Sequence, residues 1–213
     1  MKSRNNAEKH IGIFNFIAPI YGLFYSFQKG LYNRALGKAR AKLDLSAYKT
    51  VIDVGCGTGA LCSVLNQRGF SVTGVDPAEK MLAVARGKRE NQGISFIKAS
   101  ATDRLPFDRK TFDVSIASYV AHGLEAHERE KMYLEMGRVT KHFVIIHDYN
   151  DRGSPLASIV ERLEGGDYFN FIKSAKSELE GIFHDVQVFD VFAHAAWYVC
   201  VPGSLGPKES PGS

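Results

Sequence analysis

Residues 51–59 read VIDVGCGTG, and this stretch decides the fold. A short apolar run leads directly into three glycines at alternate positions, Gly55, Gly57 and Gly59, and helical spacing begins at Ala60. Glycine lets the chain turn tightly and lets a ligand approach main-chain N–H groups, because no Cβ stands in the way. The stretch therefore predicts a buried strand, a ligand-binding turn and a helix, in that order.

Strands and helices alternate from this turn toward the C-terminus. Apolar or alternating runs predict strands at 50–54, 71–76, 94–99, 112–118 and 142–148, and helical spacing covers 60–68, 79–88, 125–140, 155–164 and 168–181. Two late strands, 185–192 and 196–201, are joined by only three residues, which permits an antiparallel hairpin and forbids a helical crossover. The pattern predicts an α/β fold, a doubly wound, Rossmann-like, mostly parallel seven-stranded sheet with an antiparallel C-terminal edge hairpin.

Composition divides the chain into three regions. We expect residues 1–45 to form an N-terminal helical cap that is broken at Pro19, and residues 46–203 to form the α/β domain. The last region, residues 204–213, is rich in Gly, Pro and Ser and is predicted to be a disordered tail. The cap carries eight basic and two acidic side chains, whereas the net charge of the whole chain is +4. Such a basic segment is typical of a solvated helix face, and it also suits a negatively charged partner or an anionic membrane surface.

The chain has 213 residues, 45% of them apolar, which is enough to bury a core without a metal or a disulfide framework. Its three cysteines, Cys56, Cys62 and Cys200, form no C-x-x-C pair, and no residues have recognisable metal-ligand spacing. The sequence has neither an uninterrupted apolar run of about 18 residues nor a cleavage site of small residues. We therefore expect a cytoplasmic protein with no transmembrane segment and no metal.

Two carboxylates frame the glycine turn. Asp53 precedes it by two residues, and its negative charge would repel a pyrophosphate but attract a cationic amino group. The spacing is G-x-G-x-G, not the G-x-G-x-x-G of dinucleotide-binding turns. Asp76 ends the next strand 23 residues later, which suits a carboxylate that binds ribose hydroxyls. With Pro77 in a first helical position, Asp76 is also suited simply to cap the next helix. The predicted ligand is a zwitterionic nucleoside.

Three successive segments resemble the motifs of class I S-adenosylmethionine-dependent methyltransferases. They are VIDVGCGTGALC at 51–62, VTGVDPAEKMLAVAR at 72–86 and LPFDRKTFDVSIASYVAHGL at 105–124, within a resemblance that covers residues 48–150. The segment 14–36 also resembles the one that precedes the glycine motif in ubiquinone/menaquinone-biosynthesis-type methyltransferases. Its matching residues are Phe14, Ile17, Ala18 and Tyr21, and Gly22 replaces the acid of that family.

The resemblance implies S-adenosyl-L-methionine as the cofactor and S-adenosyl-L-homocysteine as the product. It places the turn residues at the methionine part of the cofactor and Asp76 at the ribose. The adenine pocket falls where Ala101 replaces the usual Asp or Asn, so either Thr102 with main-chain groups or the side chain of Asp103 would bind the base. The predicted cofactor site comprises Asp53, Gly55, Cys56, Gly57, Thr58, Gly59, Asp76, Pro77, Ala101, Thr102 and Ser118.

Ligands of open α/β sheets bind at the carboxyl ends of the strands. The substrate pocket predicted there comprises Tyr119, His122 and His147, with Tyr21 contributed by the cap. His122 is the candidate catalytic base, because an imidazole titrates near neutral pH, but a structural role in its loop is equally open to it. The aromatic residues of the cap either line an apolar pocket or pack on the core.

The sequence thus predicts an S-adenosylmethionine-dependent methyltransferase that acts on a small apolar or aromatic acceptor. One alternative is an RNA or protein methyltransferase that uses the basic cap, although no RNA-binding module accompanies it. The other is a cofactor-binding protein without activity, because Ala101 stands where a polar residue is usual. We expect a small-molecule partner rather than a nucleic acid, with peripheral membrane contact left open. The sequence carries no signal for the oligomeric state.

Overall fold

A computed structural model describes residues 12, 15, 16, 18, 22–152 and 167–203. Three predicted features lie outside the described residues: the helix at 155–164, the tail at 204–213 and the substrate-pocket residue Tyr21. The predicted helical cap is described mainly from residue 22 onward, and everything stated below concerns the described part of the chain.

Five α-helices and seven strands have defined bounds in the described chain, and the described residues 12, 15, 16, 18, 22 and 23 are also helical. The helices are α1 (Tyr25–Ala39), α2 (Ala60–Gln67), α3 (Glu79–Gly87), α4 (Ala126–Val139) and α5 (Tyr168–Ile182). The strands are β1 (Thr50–Val54), β2 (Ser71–Asp76), β3 (Ser95–Lys98), β4 (Phe112–Ser118), β5 (Thr140–Tyr149), β6 (Asp185–Phe192) and β7 (Ala195–Val201). Two short 3-10 helices, Arg89–Asn91 and Ala121–Gly123, precede β3 and follow β4.

The seven strands form one sheet in the order β3-β2-β1-β4-β5-β7-β6. The first five strands are parallel, β7 runs antiparallel to β5, and β6 pairs antiparallel with β7. The predicted doubly wound sheet with its edge hairpin is therefore confirmed. The central strands β1 and β4 are almost wholly buried, as expected of parallel strands that helices cover on both faces.

Side chains alternate between the two faces of the sheet. One face, which we call the α4/α5 face, packs residues such as Ile52, Val144 and Ile146 against helices α4 and α5. The other, the α1/α2 face, packs residues such as Val114 and Ile145 against α1 and α2. Because alternation continues to the strand ends, it also decides on which face each polar residue at the carboxyl edge lies.

Helix α1 crosses the α1/α2 face beside α2. Its C-terminal half is anchored by Ala35, Leu36 and Ala39, which belong to the same hydrophobic cluster as the buried residues of α2. Its first residue is held from another direction, because the Tyr25 hydroxyl donates to Oδ1 of Asn91 at 3.0 Å. The helix is therefore fixed at both ends, and its middle turns lie over the carboxyl edge of the sheet.

Candidate active site

The glycine turn between β1 and α2 has the backbone geometry that its sequence predicts. Gly55, Gly57 and Gly59 have φ angles of +73°, +52° and +76°, in the left-handed region that other residues rarely adopt. The N–H groups of Gly55 and Cys56 donate to the carbonyl oxygen of Val75 at 2.8 and 3.0 Å, which ties the turn to β2. The turn thus rests on conformations that glycine adopts without strain.

The three glycines serve two purposes. A Cβ on Gly55 would lie 2.5 Å from Cγ2 of Val120, and one on Gly59 would lie 2.8 Å from Nδ2 of Asn91, so packing within the protein requires both glycines. A Cβ on Gly57 would meet nothing within 4 Å. Gly57 is therefore the point of the turn at which the backbone borders open space and a ligand can approach.

Asp76 braces the turn from the end of β2. Its Oδ2 accepts a hydrogen bond from the Gly57 N–H at 2.9 Å, and its Oδ1 accepts one from the Ala78 N–H at 2.8 Å. Helix α3 begins only at Glu79, after an extended Ala78, so the prediction that Pro77 occupies the first helical position is wrong. Burial raises the pKa of the Asp76 carboxyl against the opposing effect of these two donors. Each oxygen keeps a further lone pair for a ligand.

Asp53 is buried near the end of β1, on the α1/α2 face. Its Oδ2 accepts a hydrogen bond from the Cys62 thiol, with 3.1 Å between Sγ and Oδ2. Burial raises the pKa of Asp53 to about 7, and the negative charge of Asp76 adds to this shift while the thiol opposes it. A cation beside this carboxyl would favour the charged form, because an opposite charge compensates for lost solvation.

Two further predicted cofactor residues, Cys56 and Thr58, are buried within the turn. The thiol of Cys56 and that of Cys62 both pack against Gly74 of β2, where an added Cβ would lie 2.9 and 3.0 Å from the two sulfur atoms. Burial raises the pKa of the Cys56 thiol, which disfavours a reactive thiolate. Cys56 therefore fills space in the turn.

The predicted adenine region follows β3. Ala101 is buried, and Thr102 Oγ1 forms a hydrogen bond of 2.8 Å with the hydroxyl of Ser100. Asp103 is exposed, whereas Thr102 is only partly exposed. Of the two alternatives for binding the base, this arrangement favours Thr102 with the adjoining main chain over the side chain of Asp103.

Three polar side chains are linked at the carboxyl ends of β4 and β5. The Ser118 hydroxyl donates to the hydroxyl oxygen of Tyr32 at 3.3 Å, and its Oγ lies 3.1 Å from Nδ1 of His147. Both Ser118 and His147 are buried. Burial lowers the pKa of His147 to about 4, outweighing the smaller effect of the Asp148 charge, so the imidazole is neutral at pH 7.

Tyr119, the residue after β4, has a left-handed backbone with a φ angle of +54°. Its N–H donates to the carbonyl oxygen of His147 at 2.9 Å, and the centroids of their rings lie 4.9 Å apart. A bulky residue rarely adopts this conformation, and such backbone strain persists where surrounding contacts enforce it, often at ligand sites. The Tyr119 side chain lies at the carboxyl edge of the sheet, where it lines the cavity described next.

A cavity of about 410 Å³ lies between α1 and the carboxyl ends of β4 and β5. Most of its lining is aromatic or aliphatic, as in pockets for small organic ligands. The lining residues are Phe24, Phe27, Gln28, Leu31, Tyr32, Tyr119, His147 and Phe192. Because β4 is hydrogen-bonded to β1, the loop that carries Tyr119 emerges beside the glycine turn. The cavity and the turn are therefore neighbours.

His122 is absent from the cavity lining. It lies in the 3-10 helix after β4, and its Nδ1 is 2.7 Å from Oδ1 of Asp148, whose Oδ2 accepts the His122 N–H at 3.3 Å. Asp148 shares the α4/α5 face with Val144 and Ile146, whereas its neighbour His147 lies on the opposite face. The cavity lining thus contains Tyr119 and His147 but not His122, whose ring centroid lies 6.4 Å from that of Tyr119, while the predicted Tyr21 lies outside the described residues.

Sequence reasoning missed four lining residues, Gln28, Leu31, Tyr32 and Phe192. Gln28 and Tyr32 follow Phe24 at intervals of four residues, the spacing that places side chains on one face of a helix. This spacing could have identified both. Phe192 reaches the cavity only because the edge hairpin folds back beside α1, and no local signal in the sequence indicates it.

No group of three or more His, Cys, Asp or Glu side chains in the described part of the chain is arranged to hold a metal ion. Likewise, no helix among the described residues has the length and apolar character needed to cross a bilayer.

Comparison with known proteins adds to this geometry. Residues 51–142 match a family described as a methyltransferase domain. The demethylmenaquinone methyltransferase of Chlorobaculum tepidum is 34% identical over 130 residues, which are 58% of this chain and 51% of the relative. The phosphatidylethanolamine N-methyltransferase of Cereibacter sphaeroides is 32% identical over 120 residues, which are 53% and 57% of the two chains. The chain spans about half the length of these curated relatives.

The crystal structure of the PH0226 protein from Pyrococcus horikoshii has the same fold, with a TM-score of 0.64 at 20% identity over 81% of this chain and 92% of that one. Residues 51–142 therefore form a methyltransferase domain, and the match together with the fold supports the class I, S-adenosylmethionine-dependent type. The cofactor of that type of domain is S-adenosylmethionine.

The glycine turn of this domain fits that cofactor on three counts. The backbone at Gly57 borders open space. Asp53 is a buried carboxyl with no cationic partner among the described residues, and the amino group of the cofactor is a cation. Asp76 has lone pairs left for hydroxyl donors after bonding two N–H groups.

Proposed function

We propose that this methyltransferase transfers a methyl group from S-adenosylmethionine to a small, largely apolar molecule bound in the cavity beneath α1. The observation that carries the proposal is the loop after β4, in which Tyr119 lines the cavity and Val120 packs next to Gly55 of the glycine turn. Two of its relatives are named for demethylmenaquinone and for phosphatidylethanolamine, which supports an acceptor outside the nucleic acids.

In this proposal the turn and the ends of β1 to β4 hold the cofactor. The main chain at Gly57 and the carboxylate of Asp53 bind its methionine part, Asp76 binds the ribose hydroxyls, and Thr102 with its main chain faces the adenine. When bound, the cofactor supplies a methyl group on a positively charged sulfur, and the reaction chemistry resides in that group. Ser118 contributes from the end of β4, where it also fixes His147.

The chain's own contribution is to position the acceptor and to exclude water. The aromatic wall of the cavity excludes water from the nucleophilic atom of the acceptor. Without a hydration shell, that atom interacts more strongly with the site and is free to attack the methyl group. Helix α1 holds the acceptor against Tyr119, so that the acceptor and the cofactor meet in one orientation. His122 has both Nδ1 and its N–H engaged by Asp148, and we assign it the positioning of the loop 119–124.

The test is transfer of an isotopically labelled methyl group. Extracts of small molecules, RNA and protein are incubated separately with the protein and labelled cofactor, and mass spectrometry locates the label. The proposal expects label in the apolar small-molecule fraction. Label confined to RNA or protein, or tight cofactor binding with no transfer to any fraction, would overturn it.

A matched pair of variants ties transfer to the turn. Gly57→Asn introduces a side chain into the open space, and asparagine tolerates the left-handed backbone better than most residues do. Gly93→Asn makes the same change at a φ of +89° before β3, also with nothing within 4 Å, but away from the carboxyl edge. We expect Gly57→Asn to lose transfer and cofactor binding, and Gly93→Asn to keep both.

A further inference from the structure

The hydrogen-bond chain in the cavity wall has a defined direction. The Ser118 hydroxyl donates its one hydrogen to the oxygen of Tyr32 at 3.3 Å. It therefore has no hydrogen left for His147, whose Nδ1 lies 3.1 Å away, and Ser118 must accept a hydrogen bond from Nδ1–H. Two neighbouring hydroxyls thus determine which nitrogen of the imidazole carries the proton.

This arrangement leaves one polar atom of the ring without a partner. His147 is 2% exposed, and its Nε2 is buried with no hydrogen-bond partner in the described chain. Burial lowers the pKa of His147, so the ring is neutral at physiological pH and Nε2 carries a lone pair. Buried polar groups are nearly always paired in native proteins, and an exception points to a missing ligand or water.

His147 differs from the other polar side chains of the wall, because among them only its Nε2 is both buried and without a hydrogen-bond partner. The lining of the cavity contains only three other side chains with polar atoms, Gln28, Tyr32 and Tyr119, and Tyr119 is aligned by its own ring contact with His147. Tyr32 packs edge-on to His147, with 6.0 Å between ring centroids, and burial raises its pKa, which keeps its hydroxyl protonated. His147 is therefore a neutral ring in the cavity wall, and its Nε2, which is closed to solvent, is the acceptor that a ligand donor would reach through that wall.

We propose that Nε2 of His147 selects acceptors that carry an O–H or N–H group, and that Tyr32 sets this preference by holding Ser118. The inference rests on the proposed function, because it takes the cavity to be the acceptor site. It names the substrate class as apolar molecules with a hydrogen-bond donor, as opposed to ketones or ethers of the same shape, which offer Nε2 no hydrogen. His147 is then a specificity-determining residue and Tyr32 a positioning residue.

Removing the Tyr32 hydroxyl should reverse the preference. In Tyr32→Phe the ring remains, but Ser118 loses its acceptor and is free to donate to Nδ1 of His147. The proton then moves to Nε2, which turns the acceptor in the cavity wall into a donor. The variant should therefore favour carbonyl ligands over hydroxyl ligands, a change that mere loss of packing would not produce.

The experiment compares two bicyclic probes, 1-naphthol and 1-tetralone, by calorimetry on the full chain. We expect wild type to bind 1-naphthol about five- to tenfold more tightly, the usual effect of one hydrogen bond. Tyr32→Phe should shift the affinity ratio toward 1-tetralone. His147→Phe removes both ring nitrogens and should therefore abolish the hydrogen-bond preference for either probe. Tyr198→Phe, which removes a hydroxyl bonded to the Tyr149 carbonyl on the opposite face, should leave the wild-type ratio unchanged.

Nitrogen-15 NMR of histidine-labelled protein reads the tautomer directly, without any ligand. We expect His147 to carry its proton on Nδ1 in wild type and on Nε2 in Tyr32→Phe. An unchanged tautomer, or the same probe ratio in wild type and both variants, would overturn the inference while labelled methyl transfer still stood. Failure of both probes to bind, together with no methyl transfer, would instead overturn the proposed function and this inference with it.

Discussion

The two faces of the sheet differ in how they treat buried ionisable side chains. On the α4/α5 face, opposite charges meet: Arg129 donates to both oxygens of Glu178 at 2.7 Å and to Asp167 at 3.0 Å. On the α1/α2 face, Asp53 and His147 have no oppositely charged partner in the described chain, and their nearest polar partners are a thiol and a hydroxyl.

This difference indicates which buried ionisable groups are paired within the protein and which are available to bind a ligand. In a buried ion pair each charge is compensated by its partner, so the pair on the α4/α5 face needs no charge from a ligand. An unpaired buried group instead shifts its pKa toward the neutral form, and it regains a favourable environment only when a ligand brings the missing charge or hydrogen bond. The ionisable residues of the α1/α2 face are arranged as the protein's half of a binding site.

The largest expected effect concerns the unpaired carboxyl, and Asp53→Asn tests it. Asp53 has a folded pKa of about 7, against roughly 3.9 in an unfolded chain, so the folded state binds more protons between these values. The wild-type free energy of unfolding therefore falls as pH rises from about 4 to 7, by up to about 4 kcal/mol from this group. Asn carries no charge, so we expect the variant to gain stability over wild type across that range.

The measurement is urea denaturation of wild type and variant at pH 5 and pH 8. His147 contributes the opposite trend to both proteins, because its folded pKa of about 4 lies below the unfolded value and its contribution is lost as pH falls. The contribution of Asp53 is therefore the difference in the free energy of unfolding between variant and wild type at each pH. A difference that does not grow with pH, or one matched by the exposed control Asp103→Asn, would show that Asp53 is not a strained buried acid.

The next effect concerns the paired face, and Arg129→Met tests it. Met keeps much of the buried volume but leaves Glu178 and Asp167 without their partner, so we expect the free energy of unfolding to fall by about 3 kcal/mol. The carbonyl oxygen of Leu124 also loses a donor at 2.6 Å. Arg86→Met breaks a pair on the surface and should cost at most about 1 kcal/mol. Equal losses in thermal or urea denaturation would contradict the comparison.

The sequence predicted whatever depends on neighbours along the chain. The strands, the edge hairpin and the glycine turn follow from short apolar runs, a three-residue link and the positive φ angles that only glycine adopts easily. It could not separate His147 from Asp148, because their opposite directions follow from strand alternation whose phase the surrounding packing decides. Nor could it place Phe192, which reaches the cavity through tertiary folding alone.

A smaller effect is expected for the cofactor-binding carboxylate in Asp76→Ala. We expect affinity for S-adenosylhomocysteine to fall by about 1–3 kcal/mol, because Asp76 supplies the hydrogen bonds proposed for the ribose and also holds the Gly57 N–H. Calorimetry measures the affinity, and the exposed Asp103→Ala is the matched control. Unchanged affinity in a folded Asp76→Ala would remove the ribose assignment.

The smallest effect is expected when one exposed phenylalanine on each face of the sheet is replaced by serine. Phe27 is 63% exposed at the mouth of the cavity, and Phe169 is 51% exposed on α5. Neither Phe27→Ser nor Phe169→Ser should change the free energy of unfolding by more than about 0.5 kcal/mol, because little buried area is lost. Phe27→Ser should still weaken 1-naphthol binding by about 1 kcal/mol, since a ligand would cover that ring, whereas Phe169→Ser should leave it unchanged. Equal effects of the two variants on binding, measured by calorimetry, would mean that the apolar mouth of the cavity does not contact the ligand.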